Sequence, residues 1–330
     1  MNAPRVLEWV RDPAGVWNMP EETVAALASE FPDVRFDDPA TREECDALLP
    51  QADVVLGYAV RPHNFSTAGR VRWVHSTAAG VGHMLFPELV ESSIVVTNAR
   101  GLHARSMAEH VLGVMLAFTR RLHVSRDMQN ARRWTQAELW RGSPSFGELE
   151  GATLGIVGFG RIGQAVGAAA RSFGMHVVAV RRRPQADPAP AHEQWGPGRL
   201  GEMLERADWV VLAAPHTPET DRLLGAAEIA RMKPGARLVN IARGALVDEA
   251  ALVDALQSGR LAGAALDVME TEPLPPGSPL WSMPEVIVTP HTSGVGPRFW
   301  ERNREQFAGN LRRFLAGEPL ENVVDKRSGY

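Results

Sequence analysis

Thr153-Leu154-Gly155-Ile156-Val157-Gly158-Phe159-Gly160-Arg161-Ile162-Gly163 is the stretch whose reading decides the fold. Its first five residues form a short apolar run with β-branched members, the composition of a buried parallel strand. A G-x-G-x-x-G follows at once. Val166, Ala169, Ala170 and Phe173 then recur at helical spacing, Gly174 marks a stop, and His176-Val177-Val178-Ala179-Val180 reads as a second strand. In such a strand–loop–helix–strand unit each glycine has a mechanical task. Gly158 makes the tight turn, Gly160 lets backbone approach a pyrophosphate, and Gly163 lets helix and strand pack closely. The helix start at Arg161 and Ile162 offers free N–H groups and a partial positive charge to that pyrophosphate. A bound dinucleotide is the expectation.

The end of the second strand speaks to which dinucleotide. NAD sites usually carry an Asp or Glu there, which accepts hydrogen bonds from the ribose 2′-hydroxyl. This chain has Arg181-Arg182-Arg183 instead. Guanidiniums suit a 2′-phosphate, so NADP is the expected cofactor and NAD the alternative. A solvated basic turn is the plain reading of the same charges.

With 330 residues the chain suits two domains rather than one core. Its 45% hydrophobic and 22% charged residues argue for an ordinary folded chain and against disorder. A net charge of −4 gives no general attraction for nucleic acid or an anionic membrane. No apolar run is long enough to span a bilayer and no apolar stretch follows Met1, so a cytoplasmic protein is expected. Cys45 is the sole cysteine, which rules out an intramolecular disulfide and a cysteine-rich metal site; no metal is expected. The lysines are Lys233, in a turn, and Lys326, near the C-terminus. Lysine-dependent dehydrogenases, Schiff-base enzymes and P-loops are therefore disfavoured, and basic chemistry falls to Arg or His.

Along the chain, residues 5–97 read as a small α/β unit. Strands are expected at 6–10, 34–36, 54–58, 73–76 and 94–97, with helices at 21–30 and 41–49, an alternation that implies a parallel sheet. Thr77-Ala78-Ala79-Gly80-Val81-Gly82 is small and glycine-rich, and its N–H groups could hold a carboxylate. Taken alone it reads as a loop. Met107, Val111, Val114, Met115 and Phe118 mark an amphipathic helix, flanked at its start by His103 and His110. Without an H-E-x-x-H these histidines read as surface or capping residues. Residues 126–150, with Trp134, Trp140 and Phe146, look too irregular for a core element and suit an interface or hinge-side segment. Past Arg183 a Pro-rich stretch leads to strands at 209–213, 237–241, 263–267 and 286–289, six with the first two. Pro297 opens a last helix, stopped by Gly317, that is expected to return to the first unit. The expected domains are thus 1–98 with 297–330, and 99–296.

Ligands of open α/β sheets bind beyond the carboxyl ends of the strands. There stand Arg243 in Asn240-Ile241-Ala242-Arg243-Gly244, Glu272 in Asp267-Val268-Met269-Glu270-Thr271-Glu272-Pro273, and His291 in Thr289-Pro290-His291-Thr292. Each alone reads as an ordinary surface residue. Together, on successive strand ends, they make a set for reducing a 2-keto acid. The guanidinium anchors and polarises the keto-carboxylate, the imidazolium gives its proton to the carbonyl oxygen, and the carboxylate orients the imidazole and favours its protonated form. Ala214, Pro215 and Ile241, at neighbouring strand ends, are assigned to the cofactor.

These residues carry a resemblance. Gly158–Gly163, the run from Asn240 to Glu249, Gly263-Ala264-Ala265-Leu266-Asp267-Val268 through Glu272-Pro273-Leu274-Pro275, and Pro290-His291 resemble the D-isomer-specific 2-hydroxyacid dehydrogenase family over nearly the whole chain. The resemblance implies a doubly wound Rossmann domain inserted in a smaller flavodoxin-like α/β substrate domain. It implies that Arg243 binds substrate, that Glu272 pairs with His291, and that His291 is the acid/base. It implies further that Asp267 holds the nicotinamide carboxamide, that Ala79 and Gly80 give N–H groups to the substrate carboxylate, and that the protein is a homodimer. The arginine cluster and the Val324-Asp325…Gly329-Tyr330 tail are similar to the NADPH-using glyoxylate/hydroxypyruvate reductases.

Departures exist. Gly82 stands where the family often has Asp, and Ala99-Arg100-Gly101 where it usually has Thr-Pro-Gly. Glu272 argues against the related formate dehydrogenases, and the absence of an extension past the last helix against the longer phosphoglycerate dehydrogenases. A nucleotide-sensing, corepressor-like binding protein on the same scaffold is the alternative of a different class.

Overall fold

The computed structural model describes residues 3–12, 15, 17–142 and 146–329; Tyr330, part of the tail resemblance, lies outside them. The chain divides into two compact units, Met1–Leu102 with Gly296–Tyr330, and His103–Val295.

The first unit is built on parallel strands β1 (Arg5–Trp9), β2 (Arg35–Asp37), β3 (Val54–Gly57), β4 (Trp73–Ser76) and β5 (Val95–Asn98), in the order β2-β1-β3-β4-β5. This is the flavodoxin-type order, and apolar residues line both faces of the sheet because both are covered. Alternate side chains sort to the two faces. Val6, Val54, Leu56 and Trp73 pack with Leu27 of the helix Glu21–Glu30 and with Phe307 and Leu311 of the last helix, Phe299–Ala316. Leu7, Val55, Val74 and Val96 pack on the other side with Cys45, Leu49 and Leu89. Trp73 stacks on Phe307, ring centroids 5.1 Å apart, and Trp300 belongs to the same core.

The C-terminal residues are fastened to this unit. Val324 N–H donates to Val96 O at 2.8 Å and Asn98 N–H to Asn322 O at 3.2 Å. The Lys326 ammonium donates to Leu89 O, Ser92 O and Ile94 O at 2.9, 2.7 and 3.0 Å.

The second unit holds seven parallel strands: β6 (Thr153–Val157), β7 (His176–Val180), β8 (Glu193–Trp195), β9 (Trp209–Leu212), β10 (Arg237–Asn240), β11 (Gly263–Leu266) and β12 (Val286–Val288). Their order is β12-β11-β10-β9-β6-β7-β8. Leaving β12 aside, this is the doubly wound 3-2-1-4-5-6 arrangement. The six-strand expectation needs correction. The third strand is β8, at the end of the Pro-rich stretch, and β12 is a seventh. Three residues with Glu and Gln among them give no apolar run, so the pattern missed an edge strand that pairs on one side only, with β7.

Residues 126–150 also differ from expectation. Helices Leu122–Asn130 and Gln136–Arg141 occupy much of that segment, which carries Trp134 and Trp140 at 91% and 79% exposure. The apolar faces that would have shown a helical period are missing because neither helix buries a residue.

Glu8, in the middle of β1, is fully buried. Its carboxylate oxygens accept from Val10 N–H at 2.6 Å and from Arg11 Nη1 at 2.9 Å. Burial pushes this carboxyl up to about 8, against the opposing pull of Arg11 and the Val10 N–H. The folded chain thus keeps a proton that the unfolded chain releases near 4.5. Between those limits, stability should fall as pH rises, by up to about 1.4 kcal/mol per pH unit from this one group. Urea unfolding of the wild type and of Glu8→Gln across that range checks it: the variant should show a flatter profile.

Candidate functional site

The glycine loop begins as β6 ends. Gly158 has φ +92°, and a Cβ there would sit 2.4 Å from Ala214 N, so the tight turn and the close passage of the loop after β9 both need glycine. A Cβ on Gly163 would lie 2.3 Å from Gly158 O, which is how closely the helix Arg161–Ser172 approaches its strand. At Gly160, by contrast, a Cβ meets nothing within 4 Å. Gln164 N–H is the first to bond back, to Gly160 O at 2.9 Å, so the N–H groups of Arg161, Ile162 and Gly163 have no partner inside the helix.

At the end of β7 the three arginines separate. Arg181 is half-buried, its N–H donates to Trp195 O at 2.9 Å, and its Nη1 is buried without a hydrogen-bond partner among the described residues. Arg182 and Arg183 are exposed. Open space at Gly160, three unused helix N–H groups and an orphaned guanidinium nitrogen fit a phosphorylated dinucleotide. Ala214 and Ile241 are buried at the ends of β9 and β10, and Pro215 is exposed.

Arg243, Glu272 and His291 follow the adjacent strands β10, β11 and β12. His291 Nδ1 lies 2.8 Å from Glu272 Oε2, and Glu272 Oε1 accepts Met269 N–H at 3.1 Å. Both side chains remain open to solvent. Arg243 is exposed too, but its Nη1 donates to Ala242 O at 2.6 Å and makes no ion pair among the described residues. The loop carrying it is set by Asn240, whose Nδ2 donates to Arg243 O at 2.9 Å and whose Oδ1 accepts Ala242 N–H at 3.0 Å. Gly244 lets this loop press on the next one, since a Cβ there would be 1.9 Å from Met269 C.

His291 has φ +53°, a left-handed backbone that costs a non-glycine residue about 1–2 kcal/mol. Its N–H holds that conformation by donating to Asp267 O at 2.9 Å and Thr289 O at 3.0 Å. The Asp267 carboxylate, 1% exposed, accepts from the Thr289 hydroxyl at 2.6 Å and from the Thr292 and Ser293 N–H groups, each at 2.9 Å. Burial works to raise its pKa, but the bonds from Ser293, Thr289 and Thr292 outweigh it and hold the carboxyl below the ordinary Asp range.

His103 stands at the N-cap of the helix Ala104–Thr119, as the capping reading expects, though its side chain makes no cap bond, and His110 is half-buried rather than on the surface. His103 is buried with Nδ1 2.9 Å from Gly294 O, and His110 Nε2 lies 3.5 Å from the Thr289 hydroxyl. Burial lowers both pKa values, offset in part by the Gly294 carbonyl for His103 and by Asp267 for His110. The sequence reading also missed Asn240, Thr289 and Ser293 as the residues that shape these loops. An Asn ending an apolar strand was the one available hint.

In the first unit, Ala79 and Gly80 lie half-buried in the loop after β4. A family model described as the NAD binding domain of D-isomer specific 2-hydroxyacid dehydrogenase matches residues 112–293. The chain belongs to the D-isomer specific 2-hydroxyacid dehydrogenase family. Among similar proteins, the D-3-phosphoglycerate dehydrogenase of Mycobacterium leprae is 36% identical over 315 residues, 94% of this chain and 58% of that protein. The chain therefore spans little more than half the length of that relative. The glyoxylate reductase of Thermococcus gammatolerans is 38% identical over 287 residues, covering 86% of this chain and 84% of its own. Among solved structures, the NADPH-dependent glyoxylate/hydroxypyruvate reductase of Sinorhizobium meliloti, in complex with NADP and sulfate, aligns with a TM-score of 0.82 at 28% identity. That alignment covers 99% of this chain and all of the other.

In this member of the family, Asp267→Asn would turn a carboxylate that accepts three donors into an amide with one acceptor. Replacing charged hydrogen bonds in a buried place should lower the unfolding free energy by about 2–4 kcal/mol. Denaturant unfolding measures it, and a loss within about 0.5 kcal/mol would mean the loop is held by other contacts.

Proposed function

We propose that the chain is an NADPH-preferring reductase of small 2-keto acids, of the glyoxylate and hydroxypyruvate kind, to D-2-hydroxy acids. The observation that carries this is the 2.8 Å pairing of His291 Nδ1 with Glu272 at the strand-end edge that also bears Arg243. With Nδ1 engaged by the carboxylate, Nε2 of the imidazolium holds the proton to be given to the keto oxygen. The Arg243 guanidinium binds and polarises the keto acid, and the Ala79 and Gly80 N–H groups take its carboxylate. Reduced nicotinamide, when bound, supplies the hydride. Gly158, Gly160, Arg161, Ile162, Gly163, Ala214, Pro215, Ile241 and Asp267 are assigned to holding the cofactor, the last at the carboxamide.

Residues 99–296 are accordingly the nucleotide domain, and 1–98 with 297–330 the substrate domain. Arg181, Arg182 and Arg183 are assigned to the 2′-phosphate. The orphaned Arg181 Nη1 and the NADP complex of the Sinorhizobium meliloti protein support this assignment. Two exposed indoles, Trp134 and Trp140, support a homodimer, and a single buried free cysteine supports the cytoplasm.

Initial rates with glyoxylate, hydroxypyruvate, pyruvate and phenylpyruvate, each with NADPH and with NADH, test the reading. A kcat/KM at least about tenfold higher with NADPH is expected. Equal values would refute the preference. Nucleotide binding without turnover of any acid would favour the corepressor-like alternative. His291→Gln should lower kcat roughly 10²–10⁴-fold. An unaltered kcat in that variant removes His291 from the chemistry.

A further inference from the structure

The loop proposed to take the substrate carboxylate has its two critical peptide planes tied by their carbonyls, and Ala78 O also accepts the Ser76 hydroxyl at 3.1 Å. Ala78 O accepts Ala99 N–H at 3.1 Å. Ala79 O accepts the Asn98 side-chain Nδ2–H at 2.7 Å. Both acceptors thus face the segment that continues β5. Neither peptide is among the cis bonds of the chain, and in a trans peptide the next N–H points opposite to the carbonyl. The N–H groups of Ala79 and Gly80 are therefore turned away from residues 98–99. Neither finds a hydrogen-bond acceptor among the described residues. Two adjacent unused N–H groups, with their carbonyls tied back, form a concavity of partial positive charge suited to a small anion.

Asn98 is equipped to impose this. It is 2% exposed, its Oδ1 accepts Arg100 N–H at 3.3 Å, and its own N–H donates to Asn322 O at 3.2 Å. The side chain is thereby held with only the amide NH₂ directed at Ala79. Without that donor, Ala79 O would be free to rotate outward, and the Gly80 N–H would turn inward with it. A glycine at 80 offers little resistance to such a flip.

We propose that Asn98 is a positioning residue for substrate recognition: it locks the Ala79–Gly80 peptide so that the Gly80 N–H is presented to the carboxylate of the 2-keto acid. This rests on the reading that Ala79 and Gly80 bind that carboxylate. Asn98 does not touch the substrate itself. Its effect falls on discrimination between an acid and an uncharged analogue, not on the proton transfer.

The test compares the best 2-keto acid of the panel with its carboxamide, at saturating cofactor, for the wild type, Asn98→Ala and Asn98→Asp. Asn98→Asp keeps the shape and the bond to Arg100 N–H while setting a charged acceptor in place of the donor, so it serves if the alanine variant folds poorly, and Asn98→Ala separates the lost donor from the added charge. Equilibrium binding of the acid and the amide by calorimetry gives a second readout. In the wild type the acid should be strongly preferred. In both variants, KM and Kd for the acid should rise about 10- to 100-fold, while those for the amide and the KM for cofactor stay within about twofold. Wild-type indifference between acid and amide would overturn the carboxylate reading and this proposal with it. A preference that persists undiminished in folded Asn98→Asp would overturn the role of Asn98 alone and leave the carboxylate reading standing. An equal loss for acid and amide would mark a general structural defect and also count against the proposal.

Discussion

A carboxylate withdrawn from water must be answered by donors, and the candidate site is organised by how Asp267 is answered. Its side chain collects the Thr289 hydroxyl and the N–H groups of Thr292 and Ser293, and its carbonyl takes the N–H of His291. Every one of those donors lies within two residues of His291. The left-handed backbone at His291 is the geometric result, since the chain has to curl around the carboxylate to deliver them. That curl presents the imidazole to Glu272. The His291–Glu272 pair is thus held by a group that belongs to neither side chain of the pair, a form of support in which the outer hydrogen bonds fix the inner geometry.

The same economy recurs at two strand ends, one in each unit. Asn98 closes β5 and Asn240 closes β10. Each accepts the N–H two residues on through its Oδ1, to Arg100 and Ala242 respectively. Each also donates through Nδ2 to a loop carbonyl, Ala79 O in one case and Arg243 O in the other. The Oδ1 bond is a local turn that asparagine makes readily. Once it is made, the amide NH₂ has one direction left, and the loop is shaped by that remaining donor.

Much of this was legible in the chain itself. Strands that are buried on both faces are continuous apolar runs, so β1, β3, β4, β6, β7, β9, β10 and β11 stood out, and with them the residues just beyond their ends. The G-x-G-x-x-G was readable because its glycines answer to contacts within a few residues. β8 was not, because three residues paired on one side need no apolar run. Helices Leu122–Asn130 and Gln136–Arg141 bury nothing and so left no period. His103, at a helix N-cap, and His110 are drawn in further than a surface or capping reading implies. Their burial comes from Gly294 and Thr289, nearly two hundred positions away, and no local pattern carries that information. Nor could three consecutive arginines disclose that Arg181 tucks in while Arg182 and Arg183 stay out.

The fastening of residues 322–326 has a bearing on how the protein behaves in company. β5 is the last strand of its sheet, and its outer row of N–H and C=O groups would be a template for a neighbouring molecule. Val323 lies antiparallel to Thr97, with bonds at Val96 and Asn98 on either side, and the lysine below draws the carbonyls of the preceding turn into one grip. These few residues cap an otherwise adhesive margin. Trimmed back to Glu321, the chain would lose Val324 from its core and the Asn322 carbonyl from Asn98, and would offer other copies a bare strand on which to assemble.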